Sequence, residues 1–360
     1  MLMPKADPIF VRASVADKCN LTCVYCPKQE GMENRVPPHL AGRRLTAEQY
    51  SQNLAHIARN GITGVSFTGG EPTLNPELPQ LVRSAAQMFE RVELTSNGFR
   101  LLAMLPLLAP HLDVLKISLD TMDPVLGSHI TQSAQDEVKR ATDCIVEACK
   151  LGLTVGVNVV VLRSTVNEID AILAFCRHIN GQGYPGRVYV SLLDFYYSPE
   201  QRRTWETEFI TIEALAQDFE DRYGRRTAQQ RFGCTFYWFN ADGVEVRFKD
   251  SLGATHRAQK CTNCKHYCQE GIYGLKHSVE GWVTSCPNGD PLLGVHLTPG
   301  LGDEQVDDLI YPLIRDIRTA HPTPDSFDTL LRIHNLKLNG GGADRTSRFS
   351  RELVQLEVPK

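Results

Sequence analysis

Short β-branched runs alternate with longer amphipathic segments over more than half of the chain, the pattern of repeated βα units built around parallel strands. Six strands are predicted: Phe10 to Val15, Gly64 to Phe67, Val92 to Thr95, Val114 to Leu119, Thr154 to Leu162 and Val188 to Leu193. Helices are predicted over Thr46 to Asn60, Glu77 to Met88, Gln135 to Leu151 and Val166 to His178. The expected fold class is α/β, a partial (β/α)6 barrel of the TIM type, in which chemistry gathers where the loops leave the C-terminal ends of the strands. After Asp194 the rhythm breaks. Tyr196 to Arg225 is polar with helix-forming character, a cysteine-rich segment follows, and Leu275 to Ser278, Val279-Glu280-Gly281 and Trp282 to Ser285 read as strand, turn, strand. Asp303 to His321 reads as a last helix, and Asn339-Gly340-Gly341-Gly342 opens a polar tail. The expected organisation is a barrel over 1–200, a cysteine-rich auxiliary region over 201–320 and a tail over 321–360.

Composition narrows this picture only a little. The hydrophobic share of 42% and the charged share of 22% are those of a folded globular protein. No apolar run approaches the roughly 20 residues of a membrane span, and Met1 to Pro8 lacks the apolar stretch of a signal peptide. A cytoplasmic protein with no membrane partner is therefore expected. The net charge of -4, with no basic block, argues against a nucleic-acid duplex as partner.

The 11 cysteines change the picture more. A reducing compartment makes a disulfide framework an unsuitable use for them, so their positions decide. Cys19, Cys23 and Cys26 cluster near the N-terminus, and Cys261, Cys264, Cys268 and Cys286 cluster near the C-terminus. Cys144, Cys149 and Cys176 fall in helix-like stretches and read as buried thiols. Cys234 is read as structural.

The segment Cys19-Asn20-Leu21-Thr22-Cys23-Val24-Tyr25-Cys26 leaves the first predicted strand. Thiolates at C-x3-C-x2-C spacing coordinate three irons of a cubane 4Fe-4S cluster and leave the fourth open to an external ligand. A zinc site is the blander alternative and would need a fourth protein ligand nearby. This pattern resembles the radical S-adenosylmethionine (SAM) superfamily, in which the open iron chelates the amino and carboxylate groups of SAM. Further residues fit that resemblance in order. Thr68-Gly69-Gly70-Glu71-Pro72 closes the second strand and looks like the GGE motif that holds the SAM ammonium, with Glu71 available as an acceptor. Thr95-Ser96-Asn97-Gly98 and Ser118-Leu119-Asp120 end the next two strands, and Tyr25, Ser96, Asn97 and Ser118 look like cofactor contacts. Asn158, Arg163 and Leu192 are weaker candidates for the same role.

Within that superfamily the chain most resembles the GTP 3',8-cyclase family of molybdenum cofactor biosynthesis. The most specific stretches are Arg12 to Cys26, Phe67 to Glu77, Lys116 to Pro124, Val157 to Leu162 and Leu297 to Ile310. The resemblance implies a second 4Fe-4S cluster on Cys261, Cys264 and Cys286. Cys268 departs from the family pattern. A fourth thiolate leaves open a fully ligated cluster or a four-thiolate zinc site. Other departures speak against GTP as substrate: family cations are replaced by Gly64, Ser66, Gly156 and Gly274, while Arg12 and Lys276 remain as substrate-site cations.

The reading is thus a radical SAM enzyme that forms a 5'-deoxyadenosyl radical and abstracts hydrogen from a small polar metabolite, a sugar, nucleoside or nucleotide. A flavodoxin- or ferredoxin-type protein is the implied reductant. Three alternatives stand beside it. Modification of a peptide or protein would fit an auxiliary cluster, though neither end is recognisable as a peptide-binding leader domain. GTP 3',8-cyclisation is the second. A noncatalytic electron carrier would leave Gly69-Gly70-Glu71 without purpose.

Overall fold

The computed structural model describes residues 9–26, 36–231, 234–252, 255–264, 268–269, 271–287, 293–323, 331–332 and 336. The tail expected from Asn339 onward lies outside them. Strands β1 (Phe10–Ala16), β2 (Gly64–Gly69), β3 (Arg91–Ser96), β4 (Val114–Ser118), β5 (Thr154–Val160) and β6 (Arg187–Leu193) pair in that order, all parallel. Between them run α1 (Ala47–Arg59), α2 (Leu78–Ala85), α3 (Leu101–Leu108), α4 (Pro124–Thr131), α5 (Glu137–Lys150) and α6 (Ile169–Asn180).

Alternation along each strand sorts the side chains into two layers. Val11, Val65, Val92, Leu115, Val155, Val188 and their strand neighbours two residues on are buried in one apolar core with α1, α2, α3, α5 and α6. Arg12, Ser66, Glu93, Lys116, Gly156 and Tyr189 take the opposite face and line the lumen. α1 starts at a capping box, with Thr46 accepting from Gln49 N–H and Gln49 answering to Thr46 N–H. Cys144, Cys149 and Cys176 are fully buried in the core, and Cys234 is nearly so.

Two helices had no amphipathic signal. α3 reads Leu101-Leu102-Ala103-Met104-Leu105-Pro106-Leu107-Leu108, apolar on every face, and Leu107 remains 61% exposed. α4 is a short helix containing Gly127, set by Asp123 capping Val125 and Leu126 N–H.

After β6 come α7 (Arg202–Glu208), α8 (Ile212–Tyr223), β7 (Thr227–Arg231), β8 (Cys234–Ala241), β9 (Val244–Asp250), β10 (Thr255–Arg257), β11 (Leu275–His277), β12 (Trp282–Thr284), β13 (Gly294–His296), α9 (Asp303–Thr319) and β14 (His321–Thr323). The expected hairpin is β11–β12. The same sheet continues across the boundary expected near residue 200. β9 pairs parallel with β6, and β11 pairs parallel with β1, so the six-strand series gains a parallel strand on each edge of a 12-stranded sheet. No helix among the described residues is long and apolar enough to cross a membrane.

Candidate active site

The cysteine loop leaves β1 and is held from three sides. Val24 N–H donates to Ile130 O at 2.9 Å and Thr22 N–H to Thr131 O at 3.3 Å, fixing it to the end of α4. Asn97 Nδ2 donates to Asn20 Oδ1 at 2.9 Å and lies 3.6 Å from Cys19 Sγ. Tyr25 Oη donates to Asp120 Oδ2 at 2.7 Å.

The turn after β2 meets this loop at close range. Gly69 has φ 138°, and a Cβ there would stand 2.3 Å from Ala16 O, so only glycine fits. Gly70 N–H donates to Ala16 O and Glu71 N–H to Lys18 O, each at 2.8 Å.

Glu71 lies under the cleft and is already engaged within the protein. Its carboxylate is 1% exposed, with Oε1 accepting from Thr73 N–H (3.0 Å), Thr73 Oγ1 (2.6 Å) and Ser96 Oγ (2.7 Å), and Oε2 from Asn97 N–H (2.8 Å). These bonds fasten the β2 turn to the end of β3. Burial pushes its pKa up, and the hydrogen bonds from Thr73, Asn97 and Ser96 oppose that rise.

These pieces form one cleft at the C-terminal ends of β1 to β4. Cys19, Cys23, Cys26, Tyr25, Thr68, Gly69, Gly70, Glu71, Ser96, Asn97 and Ser118 all line it. Asp120 lines it too, and its only signal in the sequence is its place two residues after Ser118 at the end of β4. Asn158 is paired beside Ser118 on the lumen face of β5, outside the cleft lining. Two weaker candidates sit apart from the cleft lining. Leu192 shares the parity of Val188 and Val190 and is fully buried in the apolar core, so it does not face the lumen. Arg163 turns its Nε to Thr207 O at 3.3 Å, because residues 162–164 bind the end of α7.

The chemistry of the cleft suits a positively charged iron–sulfur group. Burial pushes the Cys19 and Cys23 thiols up, and the neighbouring charges of Glu71, Asp120 and the other thiols add to that. Thiolates gathered here need a cation among them. Among the described residues no Cys, His, Asp and Glu side chains stand as a closed metal-ligand set. The thiols share one cleft without being drawn to ligand distances.

The second set also comes together. Burial and then Cys286 push the Cys268 thiol up to about 12, with Cys264 and Cys261 adding and Arg257 opposing, so Cys268 feels the charge of the other three cysteines. Cys268 O accepts from Thr255 Oγ1 at 2.6 Å, and Cys286 N–H donates to Thr284 Oγ1 at 3.0 Å. Arg12 and Lys276 are register partners on β1 and β11.

Residues 14–176 match the Radical SAM superfamily model, so the chain carries a radical SAM domain. It is a radical SAM enzyme, of the kind that uses SAM and a 4Fe-4S cluster. Among curated proteins it is similar to the probable GTP 3',8-cyclase of Methanococcus maripaludis, 28% identical over 259 residues that span 71% of this chain and 80% of the relative. It is also similar to the GTP 3',8-cyclase of Lactiplantibacillus plantarum, 29% identical over 290 residues that span 77% of this chain and 78% of that one. Among solved structures, Streptococcus suis SuiB bound to S-adenosylmethionine superposes with a TM-score of 0.56 at 17% identity, covering 87% of this chain and 68% of SuiB, a likeness of fold.

Proposed function

We propose that this chain abstracts a hydrogen atom from a small polar metabolite that lies in the barrel lumen, between the SAM cleft and the auxiliary cysteines. The 4Fe-4S group would sit on Cys19, Cys23 and Cys26 and supply reductive cleavage of SAM. The chain's own residues position and shield. Gly69 and Gly70 let backbone approach the cofactor, Glu71 holds that turn against β3, and Tyr25 and Asp120 lock the cysteine loop over the lumen. A second 4Fe-4S cluster on Cys261, Cys264 and Cys286, with or without Cys268, is part of this reading.

One observation carries the substrate assignment. A Cβ on Gly64 would lie 2.6 Å from the Phe10 ring, and a Cβ on Gly156 would lie 2.6 Å from Cζ and Oη of Tyr189. A Cβ on Gly274 would meet Phe10 O at 2.6 Å. At these positions the cyclase pattern has cations, and here two aromatic rings and a strand backbone take the room. The lumen is thereby poor in the donors that three phosphates need.

The names of the curated relatives favour a second reading, GTP 3',8-cyclisation. The test is an anaerobic assay of the reconstituted, reduced enzyme with SAM. Formation of 5'-deoxyadenosine should quicken with a nucleoside, sugar or monophosphorylated compound and not with GTP. Conversion of GTP to the 3',8-cyclised nucleotide would overturn the first reading.

A further inference from the structure

Below the SAM cleft the lumen carries cations on positions that the cyclase resemblance does not assign. Lys116 is on the lumen face of β4, two residues before Ser118 of the cleft and thus roughly 7 Å deeper. Its neighbours in register are Thr95 and the side-chain-free Gly156. Lys116 Nζ is 2.5 Å from Glu93 Oε2, but Glu93 is shared with Arg91, whose Nε reaches Oε1 at 2.8 Å from the more exposed side. The two partners of this pair both shift downward. Burial would raise Glu93, yet Lys116 and Arg91 hold it at about 2. Burial lowers Lys116, Glu93 opposes that drop, and Arg247 and Arg12 add to it, so both guanidinium groups act on the Lys116 ammonium.

Arg247 belongs to β9, opposite Ser191 of β6. Its Nη2 donates to Ser191 Oγ at 2.8 Å, and its guanidinium lies 5.6 Å from the ring centres of both Tyr189 and Phe236. Its Nε is buried with no hydrogen-bond partner. The Tyr189 ring that holds it is the one that fills the space above Gly156. A guanidinium held by two rings and a hydroxyl, with one buried donor unmet and the Glu93-paired ammonium of Lys116 acting on it across the lumen, is preorganised for a planar or tetrahedral oxyanion.

We propose that Arg247 and Lys116 form an oxyanion subsite in the lumen, which holds one compact anionic group of the substrate, a phosphate monoester or a carboxylate. This rests on the reading of the lumen as the substrate chamber and narrows its substrate class. With the anion at the depth of Lys116, the carbons that follow it rise toward Ser118 and the SAM cleft.

The test uses the reconstituted, SAM-bound enzyme titrated anaerobically with inorganic phosphate and with acetate in a calorimeter. Wild type should bind one of them at one site per chain, phosphate marking a phosphate monoester and acetate a carboxylate. Arg247→Gln should weaken that binding at least tenfold, and Arg247→Lys, which keeps the charge and loses the fork, should fall between. Iron content and SAM affinity, measured on each variant, report folding. Binding of neither anion to wild type, or binding that Arg247→Gln leaves unchanged, overturns the subsite. Those outcomes leave the metabolite reading standing if another compound quickens SAM cleavage, whereas GTP cyclisation overturns that reading and leaves the anion titration to judge Arg247 separately.

Discussion

The Tyr25 hydroxyl donates to Asp120 Oδ2 at 2.7 Å while Asp120 Oδ1 accepts from Val160 N–H at 2.8 Å, so one buried carboxylate joins the cysteine loop to the ends of β4 and β5. A hydrogen bond to a charged acceptor is worth about 2 kcal/mol. Tyr25→Phe should lower stability by about that amount, read by denaturant unfolding. It should also speed removal of iron from the Cys19–Cys23–Cys26 site by a chelator. An unchanged chelation rate would separate Tyr25 from holding the loop.

Asp120 also sets a pH dependence. Burial raises its pKa from 3.8 to about 6, against the pull of Tyr25 and the Val160 N–H. The folded chain therefore binds the proton more tightly than the unfolded one, and stability from this group is lost as pH rises from about 4 through about 6. Asp120→Asn removes the effect. Between pH 5 and pH 7 the variant should gain about 1 kcal/mol relative to wild type. A gap that stays constant, or moves the other way, would show Asp120 ionised without penalty.

Glu71 receives four hydrogen bonds on two oxygens, all from Thr73, Ser96 and Asn97. Glu71→Ala leaves those donors unmet in a buried place, at about 1–3 kcal/mol for each that finds no water. The variant should lose stability even without SAM, and its SAM affinity should fall because the Gly69–Gly70 turn is no longer held. If affinity falls with stability intact, the carboxylate contacts the cofactor directly.

The strands were the most legible part of the sequence because each carries a clean period-two stripe, and all six begin and end within about two residues of their expected bounds. Short-range motifs were legible too, since Cys19 to Cys26 and Thr68 to Glu71 each lie in one loop. The lumen was not. Arg247 reaches Tyr189 only because β9 returns parallel to β6, a long-range pairing that periodicity along the chain does not reveal, although Val244, Val246 and Phe248 display the alternation. Lys116 carried a local signal, since its parity sets it with Ser118 and apart from Leu115 and Ile117. The same parity would have placed Leu192 in the core with Val188 and Val190.

The two cysteine sets should be separable by iron content. Reconstituted anaerobically, the wild type should hold about eight irons if both sites carry 4Fe-4S clusters. Replacing Cys19, Cys23 and Cys26 together by Ala should leave about four. Cys268→Ala tests the fourth thiol: a cluster held by Cys261, Cys264 and Cys286 keeps its iron, while a four-thiolate site loses it. Zinc in place of iron at the second site would assign Cys268 to a tetrahedral set.

The crowding of Tyr189 over Gly156 gives the last expectation, which reads packing and substrate choice together. A Cβ at residue 156 would meet Tyr189 Cζ and Oη at 2.6 Å, well inside van der Waals contact, so the ring must move if any side chain is added. Overpacking of this kind costs about 1–3 kcal/mol, and Gly156→Ala should show it by denaturant unfolding. In a Tyr189→Ala background those crowding atoms are gone, so the same substitution should cost less and the two changes are non-additive. Moving the ring also releases Arg247, whose guanidinium loses one of its two aromatic faces. Gly156→Lys in the Tyr189→Ala background then places a cation where the cyclase pattern has one. GTP affinity should rise at least tenfold over the Tyr189→Ala parent, measured by calorimetry on the SAM-bound enzyme. If the affinity does not move, the aromatic filling above Gly156 is not what keeps a triphosphate out, and the loss at Gly64, Ser66 and Gly274 accounts for it.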